Sequence, residues 1–468
     1  MRTPSWTASV ALTAIFAALG SACSKGAAPS PAKVPETELA SAPRVERIQG
    51  TDRSEPPPAL PATPLPILPA SSRLPAQIGA LQGIDRLSHL FEALASLEAG
   101  RSHEDVHVVQ YGDSHTASDS GTSVVRRLLQ ARFGSGGRGF VAIGKPWKTY
   151  TQDGIRGGMT ALFSPARSHV EQGRTMGDGC YGPLGVAIGA DESGARAWTS
   201  VTVPASRVEV DYWQQPSGGS FDVFIDGAHT GRVATRAAEP APGFFALELP
   251  DTPHEVELRT VGEGSVRVFG MALDRTQAGV VVDALGINGA QIFWALRWNE
   301  EHFAAELRHR APDVVVLAYG TNEALDPKLD LGLYERSLVE LLGRVARATP
   351  SASCLLLGPP DLGRWVDHQG WIPWPPVLDV AAVQKRVAQA AGCAYYSQID
   401  AMGGPGSMLA WATESEPRAQ TDRTHLTRAG YAQVATSFTT DLLRAYDAWR
   451  DAGDLPPTSA AKTWVSSR

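Results

Sequence analysis

From residue 276 to 447, short apolar runs alternate with amphipathic stretches. "GVVVDALG", "DVVVLAYG", "SCLLLGPP" and "CAYYSQ" read as strands buried on both faces. "QIFWALRWNEEHFAAEL", "LGLYERSLVELLGRVARA", "VLDVAAVQKRVAQAAG" and "TRAGYAQVATSFTTDLLRAYDAW" read as helices, the second with Leu331, Tyr334, Leu338, Leu341 and Val345 on one side. Apolar strands separated by helices long enough to cross over admit few folds. They predict a parallel sheet covered on both faces.

One more unit of this kind lies far upstream. "GIDRLSHLFEALASLEAG" places Leu87, Leu90, Leu94 and Leu97 on one helical face. "VHVVQYG" follows as a buried strand, and "SVVRRLLQARFG" as a helix stopped by Gly134. A lone strand has little sheet of its own, so it is expected to join the downstream ones.

The intervening residues change period. "SRVEVDYW" sets Val208, Val210 and Tyr212 against Arg207, Glu209 and Asp211. "SFDVFIDG" runs into a turn, and "HEVELRTVGEGSVRVFGMALD" reads as two strands joined through glycine. Short strands at this spacing predict a β-sandwich. The simplest architecture is one α/β domain (76–157 and 276–450) interrupted by a β-rich insertion (158–275), with a tail over 451–468.

The N-terminus reads as a secretory signal peptide over 1–23: Arg2, an apolar stretch from Val10 to Leu19, then small residues before Cys23. The apolar run is too short to span a bilayer. Cys23 after "LGSA" resembles a bacterial lipoprotein site, which would anchor a periplasmic protein to a membrane; the alternative is cleavage to a soluble exported form. Residues 24–75, rich in Pro, Ala and Ser, cannot bury a core and read as a linker. A net charge of −7 without a long basic run leaves no nucleic-acid footprint. Cys354 and Cys393 each begin an apolar run and are expected on neighbouring strands, as either a thiol pair or a disulfide; Cys180 stands apart. No CxxC or His/Cys cluster argues for a metal.

Sites in doubly wound sheets form beyond the carboxyl ends of the strands. The residues placed there are "GDSHT", "GINGAQ" and "GTNEA", with "DRTHL" just before the last helix. A serine nucleophile needs a base, a carboxylate to orient the base, and donors for the oxyanion. Ser114, His425, Asp422, the N–H groups of Ser114 and Gly289, and the Asn322 amide supply this set. Each fragment also has a plainer reading. Gly289 and Gly320 serve as turn glycines, Asn322 as a cap, and Asp422 and His425 as a surface pair with Thr427 capping the last helix. Asp113 reads as structural, accepting loop N–H bonds. Asp119 or Ser120 is expected to cap the following helix, and His115 to neighbour the nucleophile rather than act as base.

With four blocks in this order, the chain resembles the SGNH (GDSL-type) hydrolase family over about 75–150 and 276–447. The resemblance implies a flavodoxin-like three-layer α/β/α fold, ester hydrolysis, Ser114 as nucleophile, Gly289 and Asn322 at the oxyanion, the Asp422–His425 pair, and no cofactor or metal. "GDSHTASD", "RFGSGGRGF" and "GVVVDALGINGAQ" around an inserted β-domain look like the bacterial peptidoglycan O-acetylesterase branch, in which a jelly-roll carbohydrate-binding module interrupts the hydrolase. Trp365, Trp371 and Trp374 in "RWVDHQGWIPWPP" are expected on the rim of the site, either stacking on sugar or packing a Pro-rich loop. The reading that follows is an exported esterase removing small acyl groups from an acetylated envelope glycan, peptidoglycan first. Its rivals are a glycan O-acetyltransferase using the same triad and an inactive glycan-binding lipoprotein. A lipase fits less well, since no long apolar lid is apparent.

Overall fold

Val106–Gly112, Val280–Gly286, Val314–Ala318, Ser353–Leu357 and Ala394–Tyr396 pair in parallel. Numbered along the chain, their spatial order is 2-1-3-4-5, the flavodoxin-like winding, whose switch point lies between the first and third strands. A small antiparallel hairpin, Gln77–Ile78 with Leu81–Gln82, extends the edge beside Ala394–Tyr396. The computed structural model describes residues 74–168 and 176–453. The expected signal peptide, Cys23, all but the end of the linker, and the tail beyond residue 453 lie outside them.

The period-2 pattern of the strands separates two cores. Val109, Val315, Leu317 and Leu356 pack toward the helices Glu300–Arg310, Leu331–Ala348 and Pro376–Ala391. Val108, Val314, Val316 and Leu355 pack toward Ser88–Glu98, Thr122–Phe133 and Arg428–Asp451. These are the three layers of a flavodoxin-like α/β/α fold, as expected. Cys354 and Cys393 form a disulfide beneath the sheet, and Cys180 is a buried free thiol.

The stretch expected as one helix from Gln291 is two. Ile292–Ala295 ends, and Asn299 restarts the chain as Glu300–Arg310 by accepting the His302 N–H at 2.9 Å. A side-chain cap stabilises a new helix start more than the apolar pattern favours continuity.

Between the first and second strands, two antiparallel sheets of five and six strands enclose their own core, including Val208, Val210, Phe221, Val223, Leu258 and Val268. They begin earlier than residue 158. Gly137–Val141 already pairs with Val266–Asp274, and Ile155–Met159 with Arg196–Val201. On the polar side of "SRVEVDYW", Arg207 stays exposed, but Glu209 and Asp211 are buried where helix Glu300–Arg310 packs. His309 Nε2 lies 2.6 Å from Glu209 Oε1, and its ring stacks on Phe244. Arg310 bonds Asp274 of the sandwich at 2.5 Å and Asp283 of the parallel sheet at 2.7 Å. Both carboxylates and the guanidinium are withdrawn from water, so the joint is rigid: each charge is compensated only while all three stay in place.

Candidate active site

The first strand stops at Gly112, wedged between its two neighbours and registered against Gly286 and Ala318. A Cβ there would lie 2.7 Å from the Ala318 carbonyl oxygen and 2.3 Å from Thr116 Oγ1, so only glycine lets the loop turn this tightly. Asp113 then starts a single turn, Ser114–Ala117, by accepting the His115 N–H at 2.9 Å. Burial pushes the Asp113 carboxyl up to about 6 against those hydrogen bonds.

Ser114 Oγ lies 2.9 Å from His425 Nε2, and His425 Nδ1 lies 2.7 Å from Asp422 Oδ2. Asp422 Oδ1 also accepts the backbone N–H groups of Thr424 and His425, each at 3.0 Å. Burial pushes the Asp422 carboxyl up, but these bonds outweigh it and hold the group below the usual carboxylate value. An ionised Asp422 can only accept, so Nδ1 carries the proton and Nε2 is left to accept from the serine. The turn that closes the pair has Arg423 at φ 52°. Thr427 caps the last helix by accepting the Gly430 N–H.

The glycine and asparagine blocks are laced together. Ile287 accepts the Ala290 N–H in a turn, with Gly289 at the position of positive φ, 76°. Asn322 Nδ2 donates to the Ala290 carbonyl at 2.9 Å, and Gln291 Nε2 to the Asn322 carbonyl at 3.1 Å. An amide NH2 has two protons, so Asn322 keeps one for another acceptor. Glu323 was not singled out from the sequence. Buried, it accepts the Ile292 N–H at 2.6 Å and the Gly320 N–H at 3.0 Å, fastening both loops to one carboxylate. Burial pushes it up to about 7. Its signal was the acidic residue at the third position of a short helix, Thr321–Leu325.

Asp119 corrects a sequence expectation. Neither it nor Ser120 caps the helix Thr122–Phe133; Gly121 holds the cap position, without a side-chain bond. Asp119 is instead fully buried at φ 51° and pairs with Arg126 at 2.9 Å and Arg138 at 2.6 Å. The two guanidiniums overcome burial and hold it at about 2. Arg138 belongs to Gly137–Val141, so the sandwich holds the far end of the nucleophile loop. Trp147 Nε1 likewise donates to Asn288 Oδ1 beside Gly289, at 2.9 Å.

The three rim tryptophans part company. Gly363–Val366 and Gly370–Pro373 form a hairpin with Trp365 opposite Trp371. Trp374 follows it and packs inward, its Nε1 donating to Ala324 at 2.6 Å under the Arg364 guanidinium. Trp374 therefore fastens the loop, while Trp365 is exposed and Trp371 stands half-buried beside it.

Residues 256–433 match the model of the GDSL-like lipase/acylhydrolase family. The match opens inside the sandwich and leaves out Ser114, which the fold returns to the matched residues. A solved structure titled as a peptidoglycan O-acetylesterase in action aligns with a TM-score of 0.66 at 24% identity, over 79% of this chain and 99% of that one. A family two carbohydrate esterase from Clostridium thermocellum aligns at TM-score 0.26 and 11% identity, over 55% of this chain and 94% of its own. A salicylyl-acyltransferase from a tetracycline biosynthetic pathway aligns at TM-score 0.28 and 14% identity, over 63% and 98%. The search of curated proteins returned no match. Residues 256–433 are thus similar to the GDSL-like lipase/acylhydrolase family, and the chain as a whole has the fold of an SGNH hydrolase.

Proposed function

We propose that this chain is an exported serine esterase that removes O-acetyl groups from a cell-envelope glycan, with peptidoglycan as the substrate. The observation that carries the chemistry is the unbroken hydrogen-bonded chain from Ser114 through His425 to Asp422. Ser114 Oγ attacks the ester carbonyl while His425 Nε2 takes its proton. The N–H groups of Ser114 and Gly289 and the remaining Asn322 N–H donate to the oxyanion. His425 returns the proton to the departing sugar oxygen, leaving an acetyl-Ser114 ester. Water, deprotonated by His425, attacks that ester, and acetate leaves as Ser114 recovers the proton. Asp422 stabilises the imidazolium at both stages without being protonated.

The glycan is supported by the structural relative whose title names peptidoglycan O-acetylesterase. Export is supported by the leader-like N-terminus and by the Cys354–Cys393 disulfide, a linkage of oxidising compartments. Lipidation at Cys23 and anchoring to a bacterial membrane belong to the same proposal. Acetate release from native peptidoglycan, with base-treated peptidoglycan as control, tests the reading. Wild type should release acetate only from the native material, and Ser114→Ala from neither. Acetate release by Ser114→Ala at the wild-type rate would sink the mechanism.

A further inference from the structure

At 57% exposure, Trp365 is the most exposed large apolar side chain among the described residues. Its hairpin is held on both sides of the site. Gly363 N–H donates to the Arg423 carbonyl at 2.9 Å, inside the loop that carries Asp422 and His425. On the other side, Trp374 donates to Ala324 and Arg364 to Leu325 at 3.1 Å, on the helix that carries Asn322. The ring itself is buttressed. Arg423 lies 4.7 Å over Trp371, and Trp371 meets Trp365 edge-on at 6.0 Å and 77°. Gly370 takes φ 77° beside the ring, where a Cβ would meet Trp365 in ordinary contact at 3.7 Å.

An exposed indole fixed in this way has a surface to present. The hairpin tip beside it carries Asp367, His368 and Gln369, all exposed and polar. A single aromatic face ringed by polar groups is too small for a lipid surface or a protein hot-spot cluster, which need larger contiguous apolar patches. It suits a pyranose ring, whose axial C–H face stacks on the indole while its equatorial hydroxyls reach the polar tip.

We propose that the hairpin is a glycan-strand subsite of this active site. Trp365 stacks on a sugar ring neighbouring the one whose ester faces Ser114. Trp371 and Arg423 are positioning residues that set the angle of the Trp365 ring. This rests on the glycan-esterase reading. It adds that the enzyme prefers oligomeric over monomeric acetylated sugars.

Two measurements test it separately from that reading. In the first, calorimetry titrates Ser114→Ala protein with a tetrasaccharide of N-acetylglucosamine, which needs no ester chemistry. Binding that weakens at least tenfold in Ser114→Ala/Trp365→Ala, and recovers most of its strength in Ser114→Ala/Trp365→Phe, supports the subsite. Absent binding, or equal binding in all three proteins, overturns it. In the second, kcat/KM of Trp365→Ala is compared on acetylated oligosaccharide and acetylated monosaccharide. The oligosaccharide should lose at least tenfold more than the monosaccharide, through KM; equal losses overturn the subsite. Wild type that binds the tetrasaccharide through Trp365 yet releases no acetate from any glycan leaves the subsite standing and overturns the esterase reading.

Discussion

The imidazoles of His115 and His425 lie 5.2 Å apart, centroid to centroid, yet only His425 reaches the Ser114 hydroxyl. His115 Nδ1 is taken by the Tyr431 hydroxyl at 2.8 Å, and burial, with help from the nearby His425, pushes its imidazole down to about 3. It stays neutral at any working pH. The two rings therefore predict opposite mutant outcomes. His425→Gln should lower kcat on p-nitrophenyl acetate by roughly 10⁴-fold or more. His115→Gln should stay within about tenfold of wild type, short of the loss of a general base. Steady-state kinetics on the two variants decides.

Asp422→Asn makes a subtler change. The asparagine carbonyl can still accept the Thr424 and His425 N–H groups now held by Oδ1. Its NH2 would then face Nδ1 and force the proton onto Nε2, where it blocks acceptance from Ser114. A loss in kcat of about 10²–10⁴-fold is expected. Folding should be kept, as checked by circular dichroism beside the kinetics.

Asp119→Asn should unfold more readily than wild type by about 3–5 kcal/mol, because it leaves the buried Arg126 and Arg138 without their carboxylate. Asp119 is held at about 2, below its usual value. Its contribution is therefore present above the unfolded value and is lost as pH falls toward 2. Urea unfolding at pH 7 and pH 3 should show the difference between wild type and variant shrinking at the lower pH.

Glu323 runs the other way. Burial raises it to about 7, so the folded state holds a proton that the unfolded chain has released between the usual carboxylate value and 7. Its contribution to stability is full at acid pH and falls as pH rises through that window. Relative to Glu323→Gln, wild type should lose stability from pH 5 to pH 8. Paired guanidinium unfolding curves measure it, and a flat difference would contradict the assignment.

The parallel strands, their covering helices and the loops that carry Ser114, Asp422 and His425 were legible because each rests on local pattern. Apolar runs marked the strands, and "GDSH", "GINGAQ", "GTNE" and "DRTHL" stood where those strands end. What escaped the sequence depended on partners far along the chain. Asp119 reads as a cap until Arg138 is placed beside it, and Glu209 reads as solvated until His309 covers it. The break at Asn299 was present in the letters: asparagine before two glutamates is a helix start, masked by the apolar run across it. The Trp365–Trp371 hairpin was hidden because prolines and polar tip residues dilute its alternation.

The nucleophile strand is the first of the five parallel strands to be synthesised, and both its neighbours lie beyond the whole sandwich. The serine it delivers meets its base across 311 residues, in a loop just ahead of the final long helix. Pairings this remote close late, and a ribosome still holding the last helix holds back His425 as well. This timing is a safeguard. A nascent chain is catalytically silent, because Ser114 gains its base only once the final helix is free to fold.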